Sequence, residues 1–142
     1  IVAMIPLTWR AKLGLGAAQD LAPSMHWPEP VLVEDAPGDG PVMVQVVYQV
    51  PAESRPAFLA LIGDLAKSRR RGGGYAWACL ADAADPGRMV ESWREASWTD
   101  HQRHHQRVTR DDAALQDQIA ALLVPGTEPE VTHLLTPATS NG

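Results

Sequence analysis

The sequence holds a single cysteine, Cys79. That excludes an intrachain disulfide framework and leaves no Cys-x-x-Cys or Cys/His zinc pattern. Such thiol usage fits a reducing cytosol. Basic charge is also short: the formal net charge is -5 at pH 7. No basic face is expected to neutralise phosphates, so nucleic acid is excluded as a partner. A long hydrophobic run is missing too. Ile1 to Leu7 is apolar over only seven residues, against the roughly 20 that a membrane-crossing helix needs.

What the chain does have is apolar content. With 45% hydrophobic residues in 142 positions, it is long enough for one sizeable core and too short for two ordinary domains. One domain plus tails is expected. The first residue is Ile1, and the apolar run is followed by Trp9, Arg10 and Lys12. That order is how a final membrane helix emerges on the cytoplasmic side, so residues 1–13 are expected to be its clipped end and basic juxtamembrane turn. The alternatives are a short buried segment or the end of a signal peptide. Residues 14–40 carry Pro23, Pro28, Pro30, Pro37, Gly38 and Gly40 and read as a linker. Within it, Met25 to Pro28 form a hydrophobic knot expected to dock on the domain. Residues 138–142 read as a tail.

Periodicity sharpens over residues 41–137. Val42, Val44, Val46 and Tyr48 alternate with Met43, Gln45, Val47 and Gln49, which predicts a central strand. Glu53 and Ser54 open a helix with Pro56 in its first turn, and Phe58, Leu61, Ile62 and Leu65 fall on one face. Arg69 to Arg71 complement the helix dipole before Gly72 to Gly74 stop it. Tyr75–Leu80 and Arg88–Arg94 predict a hairpin around Asp85-Pro86-Gly87. Ser97 with Asp100, then Thr109 with Asp112, are two successive helix starts and imply a break between them. The second of these helices is expected to run to about Leu123, before Pro125 and Gly126, and Val131–Leu135 is the last strand. The order is βαββαβ, an α+β, ferredoxin-like fold with helices on one face of a four-stranded antiparallel sheet. The other face stays bare, and a homodimer is the simplest way to cover it.

The run Gly87 to Trp93, then Ser97 to His101, then His105 to Thr109 resembles the antibiotic-biosynthesis-monooxygenase-like domain, or dimeric α/β barrel. There a strand delivers a Glu-x-Trp segment into a helix bearing a histidine. The resemblance is closer to the C-terminal domain of major-facilitator exporters of the transmembrane secretion effector type, similar to enterobactin-exporter-like permeases. It rests on His26 to Pro30, Gly40-Pro41-Val42, Arg69 to Arg71, Asp85 to Arg88, His101 to His105 and His133-Leu134. It spans about Leu21 to Leu135. Two departures are the adjacent His104 and His105 and the Ala96-Ser97-Trp98 interruption.

The resemblance implies two functions. One is a cytosolic accessory domain for dimerisation, regulation or cargo sensing, attached to a membrane transporter at the inner face of a bacterial plasma membrane. The other is a cofactor-independent monooxygenase oxidising aromatic polyketide-like phenols to quinones. A pocket for the latter needs apolar walls and a few polar groups. His101 and His105 are the candidate acid–base pair, because imidazole titrates near neutral pH. Tyr75, Trp77, Glu91, Trp93, Arg94 and Trp98, with Phe58 as a further wall, are candidates to hold a small aromatic ligand. Each has a structural alternative. His101 and His105 share a helix face but lack a nearby third ligand, so a surface or interface cluster is expected and no metal or other cofactor. His104 is expected to be solvated. Trp93 and Trp98 equally suit the core or a dimer seam, and Glu91 is expected to pair with Arg88 or Arg94. Haem degradation also occurs on this fold through a histidine, but no other haem signal accompanies it here.

Overall fold

The computed structural model describes residues 39–138. The expected membrane-helix end, the linker up to residue 38 with its Met25–Pro28 knot, and the last four positions of the tail lie outside the described residues.

β1 spans Val42–Gln49. Its alternation places Val42, Val44, Val46 and Tyr48 in the core, each at most 3% exposed, as period-2 patterning requires. A short 3-10 turn, Ala52–Ser54, leads into α1, Arg55–Arg71, with Pro56 in its first turn where a missing N–H costs nothing. Phe58, Ile62, Leu65, Ala66 and Arg69 are buried along one face of α1. β2 (Tyr75–Ala81) and β3 (Arg88–Glu95) form the expected hairpin, with a bulge between Tyr75 and Ala78. Ala76 has φ 51° at that bulge, a left-handed conformation that re-aims the strand.

Two helices follow, as the paired start signals predicted. α2 is Trp98–Gln106, capped by the Ser97 hydroxyl, which accepts from the Asp100 N–H at 3.1 Å. α3 is Arg110–Ala120, closed by a reciprocal box: Asp112 N–H donates to Thr109 Oγ1 at 3.2 Å, and Thr109 N–H to Asp112 Oδ2 at 3.0 Å. α3 stops short of Leu123. Leu122 and Leu123 instead donate to the carbonyls of Ile119 and Ala120, the tighter bonding with which helices commonly finish. β4 is Glu130–Leu135.

The sheet order is β2-β3-β1-β4, antiparallel throughout. Register aligns the inner face in rows that cross the sheet: Cys79, Glu91, Val46 and Val131; then Trp93, Val44 and His133; then Glu95, Val42 and Leu135. The core lies between these rows and the helices, with Trp93 and Phe58 fully buried. The outer face carries Leu80, Val90 and Val47 in one row and Tyr75, Arg94, Met43 and Leu134 in another. Leu80 is 66%, Leu134 47% and Tyr75 44% exposed.

Candidate functional site

β3 sends Met89, Glu91, Trp93 and Glu95 inward, and all four are buried. Two carboxylates therefore enter an apolar core, and each needs partners to stay charged there. Glu91 finds them on three elements. Arg69 Nε donates to its Oε1 at 3.0 Å and Nη2 to its Oε2 at 3.3 Å. Tyr48 Oη donates at 2.8 Å and Trp77 Nε1 at 3.0 Å. The Arg69 guanidinium also lies 4.1 Å over the Trp93 ring, a favourable cation–π placement. Burial alone would lower the Arg69 pKa, but the charge and hydrogen bonds of Glu91, together with Tyr48, outweigh it and leave it raised. Burial first, and then the Glu91 charge, push the Tyr48 phenol well above its ordinary value. Burial and the same carboxylate drive the Cys79 thiol up to about 11, so it stays protonated and unreactive at neutral pH.

Glu95 finds its partners on α2. His101 Nδ1 and His104 Nδ1 each hydrogen-bond one of its oxygens, and all three side chains are buried. Burial alone would raise the Glu95 pKa, but the bonds from His101 and His104 outweigh it and hold the carboxyl at about 2. A carboxylate only accepts, so each Nδ1 carries the proton and each Nε2 faces away from Glu95. His105, one turn from His101, and His133, from β4, complete the cluster. Ring centroids of His101 lie 4.7 Å from His105 and 4.9 Å from His133. Trp98 packs at 5.4 Å from His101 and edge-on at 5.8 Å from His133. Burial, then neighbouring imidazoles, lower the pKa of His105 and of His133 to about 4. Both are neutral at pH 7.

The expected site residues thus divide into three places. His101, His105 and Trp98 meet in the Glu95 cluster. Trp77, Glu91 and Trp93 meet around Arg69. Tyr75 and Arg94 are paired across the hairpin on the outer face, away from both. Two expectations are corrected. His104 is 3% exposed and bonded to Glu95, not solvated, because the α2 turn that carries it packs on β3. Glu91 pairs with Arg69, since Arg88 and Arg94 alternate to the opposite face of β3. Glu95, His133, Arg69 and Tyr48 were not among the expected site residues. Strand alternation was the available signal: extended by one step past Trp93 it buries Glu95, and in β4 it turns His133 inward.

The cavity enclosed by Val46, Tyr48, Leu65, Arg69, Ile119 and Val131, among others, lies between sheet and helices and holds about 60 Å³. Sites for drug-sized ligands occupy roughly 300–1,000 Å³. A polycyclic phenol does not fit this cavity.

The element order and the antiparallel β2-β3-β1-β4 sheet define a ferredoxin-like α+β fold. Solved structures agree on that fold. A conserved protein from Methanosarcina mazei Go1 aligns with a TM-score of 0.59 at 13% identity, over 69% of this chain and 94% of that one. A candidate antibiotic biosynthesis monooxygenase from Caulobacter crescentus CB15 gives 0.58 at 16% identity, over 69% and 91%. Another from Nitrosomonas europaea gives 0.57 at 18% identity, over 71% and 96%. Comparison with curated protein sequences finds no match. The family described as transmembrane secretion effector matches residues 1–141, and the chain belongs to it. That membership indicates a transport-related role. Among the described residues, no helix is long and apolar enough to cross a membrane.

Proposed function

We propose that residues 39–138 are the cytosolic accessory domain of a major-facilitator-type small-molecule exporter, in which the outer face of the sheet meets a second copy and pairs two transporter chains. The observation that carries this reading is that face. It presents Leu80, Leu134 and Tyr75 to solvent beside partly covered Met43, Val47 and Val90, and water is a poor partner for such a surface. Family membership across residues 1–141 supports the transporter setting.

Expression of the intact gene product followed by carbonate extraction of membranes tests the setting. The protein is expected to stay with the membrane fraction, and full recovery in the extract would contradict the proposal. In parallel, the chain incubated with anthrone and oxygen is expected to yield no quinone above buffer. Quinone formation that falls in His101→Ala would instead favour the monooxygenase reading.

A further inference from the structure

His101 and His105 share one face of α2, and β4 brings His133 against them from the sheet. One ring nitrogen from each of the three lies within 4.8 Å of the other two. The third ligand that the sequence lacked near the helical pair is therefore supplied by the last strand. Among the described residues, the buried Nε2 atoms of His101 and His133 have no hydrogen-bond partner. Native structures seldom leave such atoms unsatisfied, and the omission points to a missing ligand.

We propose that His101, His105 and His133 bind one divalent late first-row transition metal ion, with Zn2+ as the defining probe, and that the ion clips α2 to the edge strand β4. Imidazole nitrogen is a borderline ligand suited to Zn2+, Cu2+ and Ni2+. Metal–nitrogen bonds of about 2.0–2.1 Å place tetrahedral nitrogens about 3.3 Å apart, and the three nitrogens already lie within 4.8 Å of one another. Three imidazoles leave a fourth position for water or an exchangeable small ligand. Glu95 supplies the outer support such sites use: it holds the Nδ1 proton of His101 and aims Nε2 at the centre. Trp98 packs tilted against His101 and edge-on against His133, and so covers one side of the cluster with an apolar ring. A second grouping, Glu95 with His101 and His104, also brings donor atoms within 4.8 Å. Its members already bond one another through Nδ1, and the unpartnered Nε2 of His101 lies on the side of the ring away from Glu95.

The test titrates tag-free, metal-stripped chain with Zn2+ by calorimetry and with Co2+ by visible absorption, with circular dichroism checking the fold of each variant. One equivalent is expected to bind, with the absorption of tetrahedral Co2+ and a raised Tm. His133→Ala should weaken binding by at least about tenfold, while His104→Ala retains it. If His133→Ala does not fold, His105→Gln serves as the same test. Absence of binding by the wild-type chain would overturn the proposal. So would unchanged affinity in a folded His133→Ala or His105→Gln variant, or loss in His104→Ala with His133→Ala unaffected.

Discussion

Glu91 and Glu95 share the inner face of β3, yet they are neutralised differently. Glu91 meets a permanent cation, Arg69, at 3.0 Å with both partners at most 3% exposed; Glu95 meets two imidazoles. Removing one member of a buried ion pair costs about 3–5 kcal/mol, because the other loses its counter-charge in a medium that solvates it poorly. Glu91→Gln is therefore predicted to lower stability by that amount, measured as a shift in the urea midpoint at unchanged slope. Replacing both partners, with Arg69→Met and Glu91→Leu, should cost less than the sum of the two single changes. An additive cycle would mean that the pair contributes no coupling energy.

At the scale of elements, the break between α2 and α3 decides where the histidines go. Thr109 ends one helix direction and starts another, and Arg71 from α1 grips the same cap through Asp112 at 2.8 and 2.9 Å. Burial would raise the Asp112 pKa, but the Thr109 amide, Ser68, the Thr109 hydroxyl and Arg71 outweigh it and leave it lowered. A carboxylate lowered on folding adds stability above its unfolded pKa of about 3.9, and that stability disappears as pH falls through the folded value. Asp112→Asn is predicted to cost about 1 kcal/mol at pH 7, the usual scale of a cap, and to approach wild-type stability as pH falls below the ordinary carboxylate range. Thermal melts across that range give the measurement, and a pH-independent difference would contradict it. The two starts at Ser97 and Thr109 were legible in the sequence, as were the strands and the apolar face of α1, because each rests on short-range periodicity or capping. The early stop of α3 was not, because its final turn tightens on contacts that the residue pattern does not carry.

Across the whole molecule, the long-range pairings escaped the sequence. His101 and His105 announced themselves by spacing, but only the β1–β4 register, which sets His133 opposite Val44, supplies their third neighbour. Arg69 read as a helix-end charge complementing the dipole, and only the packing of α1 on the sheet shows it buried against Glu91. The bare outer face, by contrast, followed from the element order alone, since two crossovers on one side leave the other uncovered. Pairing of two copies depends on that face. Sedimentation equilibrium of the chain at micromolar concentration, beside Leu80→Asp/Leu134→Asp, tests it directly. Both leucines are exposed on the isolated sheet, so the double variant is expected to keep its fold by circular dichroism. The account predicts a dimer for the chain and a monomer for the double variant; a monomeric wild-type chain, or a variant that still dimerises, would contradict it.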